Sequence, residues 1–220
     1  MHARKFDAKL EIVVFDMDGV LVDVKSSWQF IHEAFGANNV ENLKRYVEGE
    51  ITYRELMRRD IALWGRVHIG KIRSILSNVP LMPGATEAFA GLKEAGLKTA
   101  LISAGISVLA DRLQAILKLD HVFANKVLTD RRGFLTGEGE EIVGLLDKFS
   151  VLRKLASSEK VSLRKCAVVG DSSYDIPMFG QAGLSIAFNT NDSKVRKSAD
   201  VVVEKKDLRE ILPVLIERSE

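Results

Sequence analysis

The chain has one cysteine, Cys166, so it can close no intrachain disulfide, which suits a reducing compartment. Its four histidines, His2, His32, His68 and His121, are far apart and show no zinc-type spacing. No apolar run approaches the ~18–20 residues of a membrane span. The charged stretch Met1 to Leu10 has no apolar core of a signal peptide. An excess of one charge sign is also missing. The 32 basic residues balance 30 acidic ones to a net +2, and the basic residues are scattered, which argues against a dedicated nucleic-acid surface. Internal repeats and low-complexity tracts are absent too. What remains is 220 residues, 46% hydrophobic and 28% charged, an ordinary globular composition. The expectation is a cytoplasmic protein, monomer or homodimer, with no nucleic-acid or membrane partner.

Short β-branched runs alternate with amphipathic stretches. Ile12 to Phe15, Lys98 to Ile102, Cys166 to Val169, Leu184 to Phe188 and Val201 to Val203 read as strands. Ala85 to Ala95, Val108 to Leu117, Phe149 to Ala156 and Ile176 to Gln181 read as helices between them, with a C-terminal helix over Leu208 to Ile216 that Pro213 weakens or kinks. Alternation of this kind predicts an α/β fold, a Rossmann-like and mostly parallel sheet with helices on both faces. Two stretches break it. Val127 to Gly137 reads as a β-hairpin around Arg131-Arg132-Gly133. From about Lys25 to Pro80 no good strand occurs. Four helices are expected there instead, over Ser27 to Phe35, Val40 to Val47, Tyr53 to Trp64 and Ile69 to Leu76. Thr52 and Glu55 have capping-box spacing at the third. The expected organisation is a catalytic core of residues 1–24 and 81–220 with a small helical cap, residues 25–80, inserted after the first strand. The aromatic set Trp28, Phe30 and Trp64 is read as cap core.

Four groups of residues carry chemistry. Asp16-Met17-Asp18-Gly19 follows the first strand directly, where open α/β sheets bind their ligands. Paired carboxylates need a cation or a shared proton, and a hard divalent ion, Mg²⁺, satisfies both. One reading makes Asp16 a nucleophile on phosphorus and Asp18 its general acid/base partner; the other is an Asp-Gly turn with a solvated first Asp. Ser103 follows the second strand, and its hydroxyl with nearby backbone N–H groups, Ala104 included, can cradle a phosphoryl group or simply cap a helix. Lys148 precedes a helix and can pair with the nucleophile and phosphate, or face water. Asp171 and Asp175 lie after the third strand, Asp171 to complete a metal shell and Asp175 to reach the metal directly or through water, or else as acidic residues at a helix start. Each group sits after an expected strand or at a helix start, and in a parallel sheet those ends share one edge. Together they form the inventory of phosphoryl transfer.

These residues resemble the haloacid dehalogenase superfamily of phosphatases from Ile12 onward. Asp16 to Val20 is similar to its first motif, Ser103 to its second, Lys148 to its third, and Gly170-Asp171 with Asp175 to its fourth. The stretch from Val169 through Phe188, with Phe123-Ala124-Asn125 and Leu135-Thr136-Gly137, is similar to the phosphoserine phosphatases within it. The resemblance implies Asp16 as nucleophile, Asp18 as acid/base, Ser103 and Lys148 on phosphate, and Mg²⁺ held by Asp16, the backbone carbonyl of Asp18, and Asp171. It implies a small phosphorylated metabolite as substrate and a cap that closes over it, with Lys25, Tyr53 and Arg58 expected to face the site. Three positions depart. Lys25 stands where those phosphatases carry a glutamate for the substrate amine. Asp60 stands at their cap arginine, beside Arg58 and Arg59, and Tyr174 replaces an asparagine. A lysine repels an ammonium, so Lys25 favours a more acidic phosphorylated metabolite. The competing expectation is a non-catalytic or phosphotransferase member of the same fold.

Overall fold

The computed structural model describes residues 8–219. Residues 1–7, which include His2 and most of the N-terminal stretch read as lacking a signal, lie outside the described residues, as does residue 220. The first strand, β1 (Ile12–Phe15), buries all four side chains completely. Ile12 and Val14 turn to one face and Val13 and Phe15 to the other, so successive residues feed two separate apolar layers. That is why the run reads as continuous hydrophobics rather than as an alternating pattern.

Four helices follow β1: α1 (Ser27–Phe35), α2 (Val40–Val47), α3 (Tyr53–Ala62) and α4 (Ile69–Leu76). Then come α5 (Ala85–Glu94), β2 (Lys98–Ile106), α6 (Ser107–Leu117), β3 (His121–Thr129), β4 (Leu135–Glu140), α7 (Lys148–Ser158), β5 (Cys166–Gly170), α8 (Ile176–Phe179), β6 (Leu184–Phe188), α9 (Ser193–Ser198), β7 (Val201–Val203) and α10 (Leu212–Ile216). The seven strands form one sheet in the order β4-β3-β2-β1-β5-β6-β7, parallel except for the antiparallel β3–β4 pair. Helices α5, α6 and α10 cover one face, and α7, α8 and α9 cover the other. The α/β class with a mostly parallel, doubly covered sheet is therefore the observed fold. Chain connections leave β1 for β2 on one side and the later strands reach β5 on the other, so the carboxyl end of β1 sits at the topological switch point.

The helical segment α1–α4 rests over that end. Its third helix lies along β4, where Gly139 leaves room for Met57 and Ile61. The link from α3 to α4 adds a short antiparallel rung to the hairpin, with Ile69 N–H donating to the Gly133 carbonyl and Leu135 N–H to the Val67 carbonyl, both at 2.8 Å. No helix among the described residues is long and apolar enough to cross a membrane.

Several local expectations change. β2 runs four residues beyond Ile102, and α6 starts only at Ser107, so Ser103 lies inside a strand and not between strand end and helix. β2 pairs with β1 as far as Leu101 and with β3 as far as Ile102 and again at Ile106, so Ser103, Ala104 and Gly105 form an irregular stretch of the strand. The hairpin is longer than expected, because β3 begins at His121 and pairs in parallel with β2 before turning into β4. The segment after Asp175 makes a single turn ending at Phe179. α3 ends at Ala62, and α7 begins at Lys148 and runs to Ser158. Thr52 Oγ1 accepts from Glu55 N–H, but the Glu55 carboxylate turns to Arg58 and Arg59, so only half of the capping box forms. At the C-terminus a 3₁₀ turn, Leu208–Ile211, passes into α10, with Pro213 in its first turn, where a missing N–H does no harm.

Candidate active site

Asp16 is the first residue past β1, Asp171 the first past β5, and Ser103 lies near the end of β2; β1 runs between β2 and β5, so Asp16 sits between the other two on the sheet edge. Lys148 opens α7 behind its cap Asp147, which accepts from Ser150 N–H. The Lys148 ammonium is 2% exposed as a residue, and its Nζ lies 2.7 Å from Asp16 Oδ2 and 2.8 Å from Asp175 Oδ1. Burial alone would push the lysine down; the two carboxylates outweigh it and hold its pKa above the usual range. Burial pushes the Asp16 carboxyl up, and Lys148 pulls against that. Asp16 Oδ1 accepts from Met17 N–H at 2.7 Å.

Asp175 is fully buried, and both of its oxygens are taken. Oδ1 receives Lys148, and Oδ2 accepts from the Ser172 N–H at 3.1 Å and hydroxyl at 2.9 Å. Asp171 is different. It makes no hydrogen bond or ion pair among the described residues, and burial reinforced by the charges of Asp16 and Asp175 pushes its carboxyl up to about 8. Asp16, Asp171 and Asp175 each offer an oxygen within 4.8 Å of the others. Three hard oxygen donors with one carboxylate unpartnered suit a divalent cation. Asp171 is the free hand of that set, while Asp16 is engaged by Lys148 and Met17 N–H and Asp175 by Lys148 and Ser172.

Gly19 makes the close approach possible. It has φ +77°, and a Cβ built there would meet Asp171 Oδ2 at 2.1 Å. Gly19→Ala is therefore expected to displace Asp171 and weaken the apparent affinity for a divalent ion by about tenfold or more. Titrating activity and melting temperature with metal checks this, and an unchanged midpoint counts against the placement.

Asp18 Oδ2 accepts from the Ser27 N–H at 2.8 Å and its hydroxyl at 2.9 Å, tying the first turn of α1 to the sheet edge. Oδ1 is buried without a partner. Burial, opposed by the Ser27 N–H and reinforced by Asp16, lifts the Asp18 carboxyl to about 7. A carboxyl with one oxygen fixed, one free and a pKa near neutrality is suited to give and take a proton at pH 7. Ser103 is buried, and its Oγ accepts from Gly105 N–H at 3.1 Å.

One pocket gathers Asp16, Asp18, Lys25, Tyr53, Ser103, Ala104, Lys148 and Asp171. Lys25 is exposed on it. The Tyr53 hydroxyl is turned inward and donates to the Ala104 carbonyl at 2.8 Å. Arg58, expected to face the site, does not line the pocket: its side chain is 53% exposed and bound to Glu55, three residues earlier on the same helix face. Neighbouring Arg59 is held by the same carboxylate.

Two features escaped sequence reasoning. Ser27 carried no sign of contact with Asp18, since nothing in its vicinity marks a long-range partner. The buried Asn125 side chain ties Ala104 and Val143 carbonyls to the Ile142 and Val143 N–H groups, at 2.8–3.0 Å. The available signals were an asparagine following Val122, Phe123 and Ala124 and the likeness of Phe123-Ala124-Asn125 already noted, neither of which says what the side chain holds.

With this geometry in place, the likenesses to known proteins are specific. A family model described as haloacid dehalogenase-like hydrolase matches residues 10–183. The phosphoserine phosphatase of Methanocaldococcus jannaschii is 32% identical over 208 residues, covering 94% of this chain and 98% of that protein. That of Wolinella succinogenes is 31% identical over 205 residues, covering 92% of this chain and 98% of that protein. A solved phosphoserine phosphatase carrying a phospho-aspartyl intermediate analogue superposes with a TM-score of 0.80 at 31% identity, covering 94% of this chain and 99% of that one.

Proposed function

The chain belongs to the haloacid dehalogenase-like hydrolases, and from that premise we propose that it is a Mg²⁺-dependent phosphomonoesterase, phosphoserine phosphatase-like, acting on a small phosphorylated metabolite through an aspartyl-phosphate. The observation that carries this reading is the convergence of Asp16, Asp18, Ser103, Lys148 and Asp171 on one pocket.

In the proposed reaction an Asp16 oxygen attacks phosphorus and the bond from phosphorus to the substrate oxygen breaks. Asp18 hands its proton to that leaving oxygen through the free Oδ1. Asp18, now a carboxylate, takes a proton from water, whose oxygen attacks the same phosphorus. The acyl–phosphate bond then breaks, freeing inorganic phosphate and restoring both carboxyls. The Ser103 hydroxyl and Ala104 N–H donate to phosphoryl oxygens, and Lys148 restrains the repulsion between Asp16 and the incoming phosphate. A Mg²⁺ ion held by Asp16, the Asp18 backbone carbonyl and Asp171 would supply positive charge opposite the phosphoryl oxygens. Residues 25–80 act as a cap that admits substrate and then excludes water.

Release of phosphate from p-nitrophenyl phosphate, lost with EDTA and recovered with Mg²⁺, is the expected result; metal-independent release at full rate would contradict it. Metal removal also has a pH signature. Asp171 holds its proton more tightly folded, at about 8, than unfolded, at about 4. Its contribution to stability is thus complete at acid pH and is lost as the pH rises through about 8. Metal-free protein is expected to lose ~5 °C in melting temperature relative to Asp171→Asn between pH 6 and 9, and saturating Mg²⁺ to abolish that difference. Parallel pH curves for the two proteins would refute the assignment.

A further inference from the structure

One residue of the overlying helical segment holds an oxygen of Asp18. Ser27, the first residue of α1, is fully buried and gives Asp18 Oδ2 both its N–H, at 2.8 Å, and its hydroxyl, at 2.9 Å. Capping of α1 does not require this hydroxyl. Ser26 is the capping residue, and its own Oγ accepts from the Gln29 N–H at 3.2 Å. Nor does Ser27 line the pocket, although Ser26 and Trp28 on either side of it do.

The surrounding backbone sets the direction of the Ser27 hydroxyl. The Ile106 N–H, which can only donate, points at Ser27 Oγ from 3.4 Å, so the hydroxyl itself donates to Asp18. Gly105 clears the space for this contact. A Cβ built there would lie 2.7 Å from Ser27 Oγ and 3.2 Å from Asp18 Oδ2. Two donors on Oδ2 make it the accepting oxygen of Asp18. A carboxyl hydrogen on Oδ2 would compete with both, whereas Oδ1 has no partner among the described residues. Rotation about the last bond of an aspartate is soft, so without the two donors the oxygens would exchange places.

Building on the phosphomonoesterase reading, we infer that Ser27 is a positioning residue for proton transfer: by pinning Oδ2 it keeps Oδ1 as the oxygen that serves the leaving group. As the bond from phosphorus to the substrate oxygen breaks, its electron pair goes to that oxygen, which takes the proton from Oδ1, and Asp18 is left a carboxylate. Ser27 acts only through Asp18. Its effect is therefore confined to esters whose leaving group needs a proton. An alkoxide leaves only when protonated, whereas a nitrophenolate carries its charge away unaided.

Two esters of similar size read this difference: 4-nitrophenyl phosphate, which leaves as a phenolate, and benzyl phosphate, which leaves as an alcohol. Phosphate release with Mg²⁺ is followed as kcat/KM, which covers the steps through loss of the leaving group. Ser27→Ala is expected to lower kcat/KM for benzyl phosphate about tenfold, the effect of a hydrogen bond to a charged group, and that for 4-nitrophenyl phosphate less than about twofold. Ser27→Gly, which lacks the same hydroxyl, is expected to match it, and Ser27→Thr, which keeps the hydroxyl, to restore the wild-type ratio of the two esters. Because the ratio is read within each protein, a smaller folded fraction cancels. Equal losses on both esters, or no loss on either, would overturn the inference and leave Ser27 as a tie between α1 and the sheet edge. A ratio in Ser27→Thr as low as in Ser27→Ala would overturn it as well. Wild-type protein that releases phosphate from neither ester would overturn the phosphomonoesterase reading and this inference with it, whereas wild-type turnover with parallel losses in the variants overturns the inference alone.

Discussion

Asp16→Asn is expected to lower kcat by more than about 10³-fold and to leave the metal-free protein no less stable than wild type. The two halves of this result have one cause. The Asp16 carboxylate is the proposed nucleophile, and an amide cannot form the acyl phosphate. Yet the same carboxylate is buried against Asp175, with a single lysine between them. Wild type thus holds two negative charges on one positive charge, and burial raises the Asp16 carboxyl. Asparagine keeps the shape and leaves Lys148 and Asp175 as a balanced pair. Lost turnover with an undiminished melting temperature is the mark of a residue kept for chemistry at the expense of stability. Acid-quenched wild-type protein should retain hydroxylamine-labile phosphate, and Asp16→Asn should retain none. Full turnover by the variant would eliminate the covalent route.

Lys148→Met is expected to damage both properties together. The side chains have similar length, so packing survives, but Asp16 and Asp175 are left as buried carboxylates with no cation between them. Removing one partner of a buried ion pair costs about 3–5 kcal/mol, which in a chain of this size is a fall of about 10 °C in melting temperature. The loss should shrink as the pH falls and the carboxyls take up protons. Turnover should drop by about 10² or more, because nothing then restrains repulsion between Asp16 and the phosphate. A melting temperature and rate near wild type would show that the ammonium balances neither carboxylate. Comparing the two variants separates the roles, since the nucleophile costs only chemistry and the lysine costs chemistry and stability.

The sheet was legible because parallel strands buried on both faces leave continuous apolar runs, and Ile12 to Phe15 is such a run. Helices α1, α2 and α4 were legible to the residue. α1 has local end signals of its own, Ser26 at its start and Gly36 in the left-handed region at its end, and α4 starts behind His68, whose ring accepts from Gly70 N–H. Placing Asp16, Asp18 and Asp171 near one another followed from the same logic, since parallel strands put their carboxyl ends on one edge. The rest depends on contacts between distant segments. Nothing local says that Ser103 remains in a strand, because the strand is carried on by its renewed pairing with β3 at Ile106, beyond an irregularity after Ile102. The first half of β3 mixes polar and apolar residues, and its pairing with β2 overrides weak local preference. Arg58 and Asp60 are two residues apart on one helix, and only the packing of α3 decides that the carboxylate faces inward while the guanidinium stays with Glu55.

The Ala104 carbonyl accepts from three donors, the Trp28 indole N–H and Tyr53 hydroxyl of the helical segment and the Asn125 amide of the sheet. Donors crowding that oxygen draw electrons from its peptide unit and sharpen the N–H on the far side, which belongs to Gly105 and points at Ser103 Oγ. A hydroxyl that has filled a lone pair in this way keeps its hydrogen for something else. If Ser103 cradles phosphate as proposed, seating α1 and α3 on a single oxygen would prime its hydroxyl, and a tilt of the overlying helices would reach it through one amide plane.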